Sequence, residues 1–400
     1  MPEDAYDEAL DRAIAGVGRF ATRWQKETER LERALALLEE APKGFRDPGF
    51  SDRKARGLHG WPLCEALMRK SFEARFRDPE TMLILAYQAA GVAEHTSPEK
   101  YEPSPGFVFD LRARAFAELG NAYRVNDRFP EAETAFRRAR AFLVQGSSGD
   151  LLLEARVLDL EASLRNDQGR LEDAIGLLDK VHGLYRDAGD NHLAGKALIG
   201  QGVNLRGAGR PQEAVGVLEQ GLRLLEADRD PELASIGQQG LLDALVDAGE
   251  YNRASRLILA AGLREAFAAE PLNLLKLRWV EGKIHAGLGR LSRAERIFCA
   301  VREELLRLDR HYDAAILGLE LAAVWLGQGR ANEVRTLAEE MYETFLLLDV
   351  DRSAQHALYF IREACRRQQL TVPMIQGVRS FMERLTRNPE LRFEPESYVG

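Results

Sequence analysis

The hexapeptide GRLEDA, Gly169 to Ala174, returns as GRPQEA from Gly209, GEYNRA from Gly249, GRLSRA from Gly289 and GRANEV from Gly329. A chain that restates one short unit every forty residues has to build by stacking that unit, which leaves few folds open. Helical apolar spacing precedes each copy, as in LAGKALIGQGVNLRGAG (Leu193 to Gly209), and follows it, as in QEAVGVLEQGLRLLE (Gln212 to Glu226). The glycine predicts a left-handed stop to the first helix. The alanine five residues on is small enough for the second helix to approach the first. The apolar residue four further on (Leu178, Leu218, Ile258, Phe298) continues the buried stripe. The predicted unit is a helix–turn–helix hairpin, which cannot bury its apolar face alone.

The register extends both ways. Upstream, FAELGNAYRVNDRFPEAETAFRRA (Phe116 to Ala139) is the sharpest copy, with Asp127 in the glycine place and Ala132 in the alanine place. Downstream, LYFIREACRRQQLTVPMIQGVRSF (Leu358 to Phe381) keeps the phase with Gln369 and Met374 in those places. A weak copy, Leu63 to Ala90, has Met82 for the alanine. About eight hairpins result, the outer two degenerate, as terminal repeats of an array should be.

Phe116, Leu119, Gly120, Tyr123, Ala132, Phe136 and Ala139, with Gly202 and Gly282 at the small position of other first helices, carry a resemblance to the tetratricopeptide repeat (TPR) family. The ordinary TPR period is about 34 residues; the forty here means longer helices or longer inter-repeat loops, a long-period array of bacterial type. The resemblance implies an all-α, right-handed superhelical solenoid of about eight hairpins with a long N-terminal helix. The division is a helix over 1–41, a linker over 42–62, a solenoid over 63–387 and a tail over 388–400. The hairpins fall near 63–95, 113–146, 155–188, 195–228, 235–268, 275–308, 315–348 and 355–387.

Between Asp4 and Ala41, Leu10, Ile14, Val17, Ala21, Trp24, Thr28, Leu31, Leu35 and Leu38 form a heptad seam. It either dimerises or binds a partner helix with Trp24 as anchor, or folds back to cap the first hairpin. The linker's Arg53, Lys54 and Arg56 read as solvated charge. The tail reads as extended and at least partly mobile.

Chemistry is scarce. The seven histidines (His59, His95, His182, His192, His285, His311, His356) are scattered, without metal spacing, and His285 takes an aromatic core position of its repeat. There is no nucleophile elbow and no phosphate loop, and the glycines of GQGVNLRGAG follow no strand. The three cysteines, Cys64, Cys299 and Cys365, read as reduced, buried, structural thiols. No enzyme, cofactor or metal is expected. The formal charge of −8 on 400 residues offers no general attraction to phosphate backbones, so no nucleic acid is expected. With no long apolar run and no signal-peptide pattern in MPEDAYDEAL, no membrane association is expected, and the cytoplasm is.

In TPR arrays the first helices line a groove. Carried onto this chain, the groove positions are Arg114, Asn121, Arg124, Arg156, Asp159, Asn166, Lys196, Arg206, Gln239, Asp243, Lys276, Trp279 and Lys283. Seven are basic and two acidic, so the groove either favours an acidic segment on a partner or is simply a solvated polar face. The lysine that the family's chaperone-tail clamp requires four residues before the groove asparagine is Ala117 here, so that ligand is not implied. Two functions remain: a non-catalytic scaffold or adaptor holding a protein or peptide segment, or a ligand- or peptide-responsive regulatory sensor of a bacterial signalling or transcription pathway.

Overall fold

The computed structural model describes residues 25–46, 57–101, 104–147, 149–266, 271–386 and 391–395. Among the described residues there is no strand. The chain divides into two compact units, Met1–Ala197 and Leu198–Gly400, the division falling inside a helix. After α1 (helical over 25–40) come α2 (Trp61–Ala74), α3 (Pro79–Glu94), α4 (Gly106–Val125), α5 (Phe129–Leu143), α6 (Leu151–Asp167), α7 (Leu171–Asp187) and α8 (Asn191–Gly207). Then follow α9 (Pro211–Leu224), α10 (Pro231–Asp247), α11 (Tyr251–Ala260), the short α12 (Leu263–Ala266), α13 (Pro271–Gly287) and α14 (Leu291–Arg307). The last four are α15 (His311–Gly327), α16 (Ala331–Leu347), α17 (Arg352–Arg366) and α18 (Val372–Leu385).

The turns explain the period. α6, α7 and α8 are each 17 residues long and are joined by three-residue turns, so two helices and two turns fill the forty. The residues added to an ordinary repeat therefore lengthen the helices. Gly169, Gly209, Gly249, Gly289 and Gly329 all have positive φ, between 71° and 79°. The residue after each turns its N–H back to the carbonyl five positions earlier, as Arg170 does to Arg165 at 2.8 Å and Arg330 to Trp325 at 2.9 Å, closing the helix end. The turns between hairpins use the same device, with Gly189 (φ 80°), Asp309 (φ 53°) and Asp349 (φ 47°). Asp127 (φ 57°) fills the glycine place as expected, aspartate being among the residues that tolerate this region. At the last hairpin the left-handed residue is Gln368, not Gln369. α17 stops at Arg366 and the connection runs on to Thr371, whose hydroxyl caps α18.

The small first-helix positions mark close approach. A Cβ on Gly202 would lie 2.4 Å from Leu218 Cγ, and one on Gly282 2.4 Å from Phe298 Cε1. Phe136, Phe298 and Phe345 are among the largest fully buried side chains. The second helices α3, α5, α11, α14 and α16 each pack between their own first helix and the next. α18 has no next first helix, and it reaches back to α15. Its Ile375, Val378, Phe381, Met382 and Leu385 are buried, each stabilising by roughly 1.5–3 kcal/mol, and the Tyr312 hydroxyl donates to the Met382 carbonyl at 2.9 Å.

Both ends fold in. Leu31, Ala34, Leu37 and Leu38 of α1 join a core with Leu63, Leu67, Leu85 and Ala89. The buried stripe thus runs through Ala34 and Leu37 instead of Leu35, which is half-buried. This half of the heptad seam caps the first hairpin; Leu10, Ile14, Val17, Ala21 and Trp24 lie outside the described residues, as do Arg53, Lys54 and Arg56. The tail was expected to be extended and at least partly mobile; within its described residues Phe393 is buried, with its ring 5.0 Å from Phe381 and 5.6 Å from Phe360. An aromatic side chain near an apolar helix face docks for the area it removes from water.

Two substitutions separate conformation from packing. Gly209→Val, where an added Cβ meets nothing within 4 Å, should cost on the order of 1 kcal/mol or more through the left-handed backbone alone. Gly282→Ala has no such backbone strain and should cost about 1–3 kcal/mol by overpacking against Phe298. Urea unfolding measures both; an unchanged midpoint for either removes its assigned role.

Candidate binding face

The first helices present one polar face in each unit, and charge pairs stitch it from helix to helix. In unit 1, Arg114 of α4 meets Glu65 of α2 at 2.8 Å, Arg156 of α6 meets Glu118 of α4 at 2.9 Å, and Lys196 of α8 meets Asp159 of α6 at 2.9 Å. Arg124 pairs with Asp167 and also donates to the Asn121 amide oxygen at 2.9 Å, while Asn166 is exposed and donates to Asp167 at 3.0 Å. The Arg156 guanidinium also lies 5.8 Å from the Phe72 ring. In unit 2, Arg206 holds Asp243 at 3.3 Å and Asp247 at 2.6 Å, Gln239 donates to Asp243 at 3.1 Å, and Lys283 meets Glu320 at 3.5 Å. Lys276 is exposed on α13. Trp279 is half-buried beneath the Lys283 ammonium, 5.5 Å from its ring centroid.

Six of the seven basic residues picked from the sequence thus already have a carboxylate beside them. That pairing removes most of the surplus charge on which an acidic partner was expected. Asp159 and Asp243 were among the groove positions; Glu65, Glu118, Asp167, Asp247 and Glu320 were missed because only groove positions of the first helices were counted. A signal for them exists: Lys196 and Asp159 are 37 residues apart, and the same spacing separates Arg206 from Asp243 and Lys283 from Glu320. One repeat less one helical turn brings such residues level on neighbouring first helices.

In unit 2 the face opens into a cavity of about 1060 Å³. Arg206, Asp247, Tyr251, Lys283 and Glu320 line it from the repeats, and α18 supplies Arg379, Glu383 and Arg384, which the sequence reading left out. Arg379 meets Glu320 at 2.5 Å and Glu383 at 3.7 Å. Burial pushes the Asp243 carboxyl above its ordinary value, against the pull of Arg206 and Lys283.

Among the described residues no three His, Cys, Asp or Glu side chains are placed to hold a metal ion, and no helix is long and apolar enough to cross a membrane. His285 is half-buried and its pKa is lowered, first by burial and then by Arg293 and Arg290. Cys64 is buried and Cys365 half-buried, but Cys299 is exposed, contrary to expectation. It follows the buried Phe298 on α14 and so points away from the core; desolvation and Glu295 hold its thiol above the usual range.

A tetratricopeptide repeat profile matches residues 153–227, within the stretch that builds α6 to α9. The chain carries tetratricopeptide repeats. Of solved structures, the apo form of RapI is similar over 76% of this chain and 98% of its own, at 13% identity and a TM-score of 0.51. A Rap protein complexed with competence and sporulation factor is similar over 81% and 87%, at 10% identity and a TM-score of 0.52. At such identities the likeness is one of fold. No curated protein matches the sequence.

The position of Asp243 gives a pH signature. Its folded-state pKa lies above the ordinary 3.8, so the folded chain binds this proton more tightly than the unfolded chain does. The associated stability is fully present below the unfolded value and is lost as pH rises toward the folded one. Asp243→Asn should therefore gain melting temperature relative to the wild type as pH is raised from about 4 to about 7. A constant difference across that range would contradict the assignment.

Proposed function

We propose that this TPR chain is a non-catalytic binding module, acting in the cytoplasm, whose first-helix face takes a protein or peptide segment. The observation that carries this reading is the cavity of about 1060 Å³ in unit 2, large and polar, walled by successive first helices and by α18. Val203 and Ile236 add exposed apolar surface one helical turn from Arg206 and Gln239, so the face offers both contact types that segment binding uses. The Rap protein complexed with competence and sporulation factor is one instance of this fold with a ligand. The paired charges favour a segment of mixed charge over a purely acidic one.

A second reading, a peptide- or ligand-responsive regulator, draws on the same cavity. α18 and α13 both contribute charges to it, so a ligand touching both would favour one spacing of these helices over others.

Affinity capture from a lysate of the native host tests the proposal, comparing the full chain with Arg124→Glu, Lys283→Glu, Cys299→Ser and a chain lacking residues 1–24. A partner retained by Cys299→Ser and lost with either charge reversal, then rebound by purified components, supports the first-helix face. A partner lost only on removal of residues 1–24 moves the site to the heptad segment.

A further inference from the structure

We propose that another cavity of unit 2, between the second helices α14 and α16, is a docking site for an aromatic side chain of a partner segment, with Trp325 as its platform. The cavity measures about 460 Å³, within the size range of ligand pockets. It is separate from the first-helix face. α15 turns Glu320 toward that face, whereas its Leu321 and Trp325 line this cavity, with Leu306 of α14 and Leu337 of α16.

Trp325 is more than its repeat position requires. The residue whose carbonyl closes the first helix is Arg165 in unit 1, and Leu205, Leu245, His285 and Trp325 in unit 2. Leu205 and Leu245 are simply buried there. Arg165 donates to Glu133 Oε1 at 2.6 Å, beside Arg170 at 3.4 Å. Trp325 Nε1 donates to Glu295 Oε1 at 2.7 Å, beside Arg330 at 2.7 Å. Glu133 and Glu295 each follow the buried alanine that opens the second helix, Ala132 and Ala294. The two clamps are alike, and an arginine serves the first. In the second the donor arrives on an indole, whose ring is only half-buried and lines the cavity. Apolar surface left in water is unfavourable, and a ring laid on it removes that surface and adds an aromatic contact. Arg330 lies 5.2 Å from the indole centroid and braces the platform.

The lining selects an uncharged ring. Each of its carboxylates has an arginine beside it: Glu303 meets Arg307 at 2.5 Å, Glu333 meets Arg330 at 2.9 Å and Glu340 meets Arg302 at 2.9 Å. An incoming charge would find no surplus of opposite sign. The rim selects a segment. Asn332 of α16 is exposed and lines the cavity, and its side-chain amide makes no hydrogen bond among the described residues. A primary amide offers an acceptor and two donors, the complement of a peptide group, so the backbone beside the aromatic residue has a place to bond. Cys299, exposed, lines the same cavity and marks its occupancy.

Three probes test this on the full chain: an acetylated and amidated alanine pentapeptide with a central tryptophan, the same peptide with a central leucine, and indole. Calorimetric titration gives the affinity, and iodoacetamide labelling of Cys299, read by peptide mass, gives the location. The tryptophan peptide should bind about tenfold more tightly than the leucine peptide and slow the labelling of Cys299. Trp325→Arg, which installs the residue that serves unit 1, should keep the melting temperature and lose both effects. Asn332→Ala should weaken the peptide severalfold and leave indole unchanged; an exposed change on another helix, it keeps the test open if Trp325→Arg unfolds. Lys283→Glu, on the first-helix face, should change nothing. Indole binding as tightly as the tryptophan peptide overturns the segment and makes the occupant a small aromatic molecule. Equal binding of the two peptides, unslowed labelling of Cys299, loss of binding in Lys283→Glu, or no effect of either folded variant overturns the docking site. The first-helix face is judged separately, by the capture experiment.

Discussion

The structure depends on one backbone requirement met again and again: a residue in the left-handed conformation about every twenty positions, with the following N–H turned back on the carbonyl five residues before it. Where it occurs between successive 17-residue helices, as from α6 to α7 and α7 to α8, this closure joins them by three residues and sends the chain back antiparallel. Everything else is arranged by it. A shared register puts the small position of the first helix opposite one bulky residue of the second, as Gly120 stands against Phe136, Gly202 against Leu218 and Gly282 against Phe298. Because the stops come at a fixed interval, the first helices fall level with one another. Level helices within a unit can then exchange ion pairs along one face.

Much of this could be read before any coordinates. The hexapeptide carries the turn glycine, the first buried small residue of the second helix and, in four of its five copies, an ion pair across the first turn. Arg170 with Asp173, Arg210 with Glu213 and Arg330 with Glu333 are ion pairs across a helix start. What escaped notice was the half-period, because Asp309 and Asp349 do not look like glycines. Left-handed aspartate is a conformational fact that residue identity only weakly announces. The paths of α18 and of Phe393 also escaped. Both are decided by which apolar surface remains uncovered when repeats run out, and no local pattern encodes that.

The candidate site was legible in part. Helical register alone located Arg206 and Lys283, since a groove position follows from the repeat. Their carboxylates, and Arg379, come from other helices, and the sign and number of neighbours decide what a charge is worth. A list of seven basic residues suggested a positive groove; the fold turns most of it into a neutral lattice. Charge at this face therefore links one helix to the next.

The lattice also has a bearing on how such a chain can change over generations. At Gly169, Gly209, Gly249, Gly289 and Gly329 an added Cβ would touch nothing, so these turns make no demands on their surroundings. A pair such as Asp159 and Lys196 links neighbouring hairpins, one member on each. If a forty-residue segment were copied in tandem, each copy would bring the acid for the hairpin after it and the base for the hairpin before it. The junction would arrive with its cross-links already matched. Gain or loss of a whole hairpin is thus a small step for this architecture, whereas insertion of a few residues inside one helix would put the pairs that span it out of register.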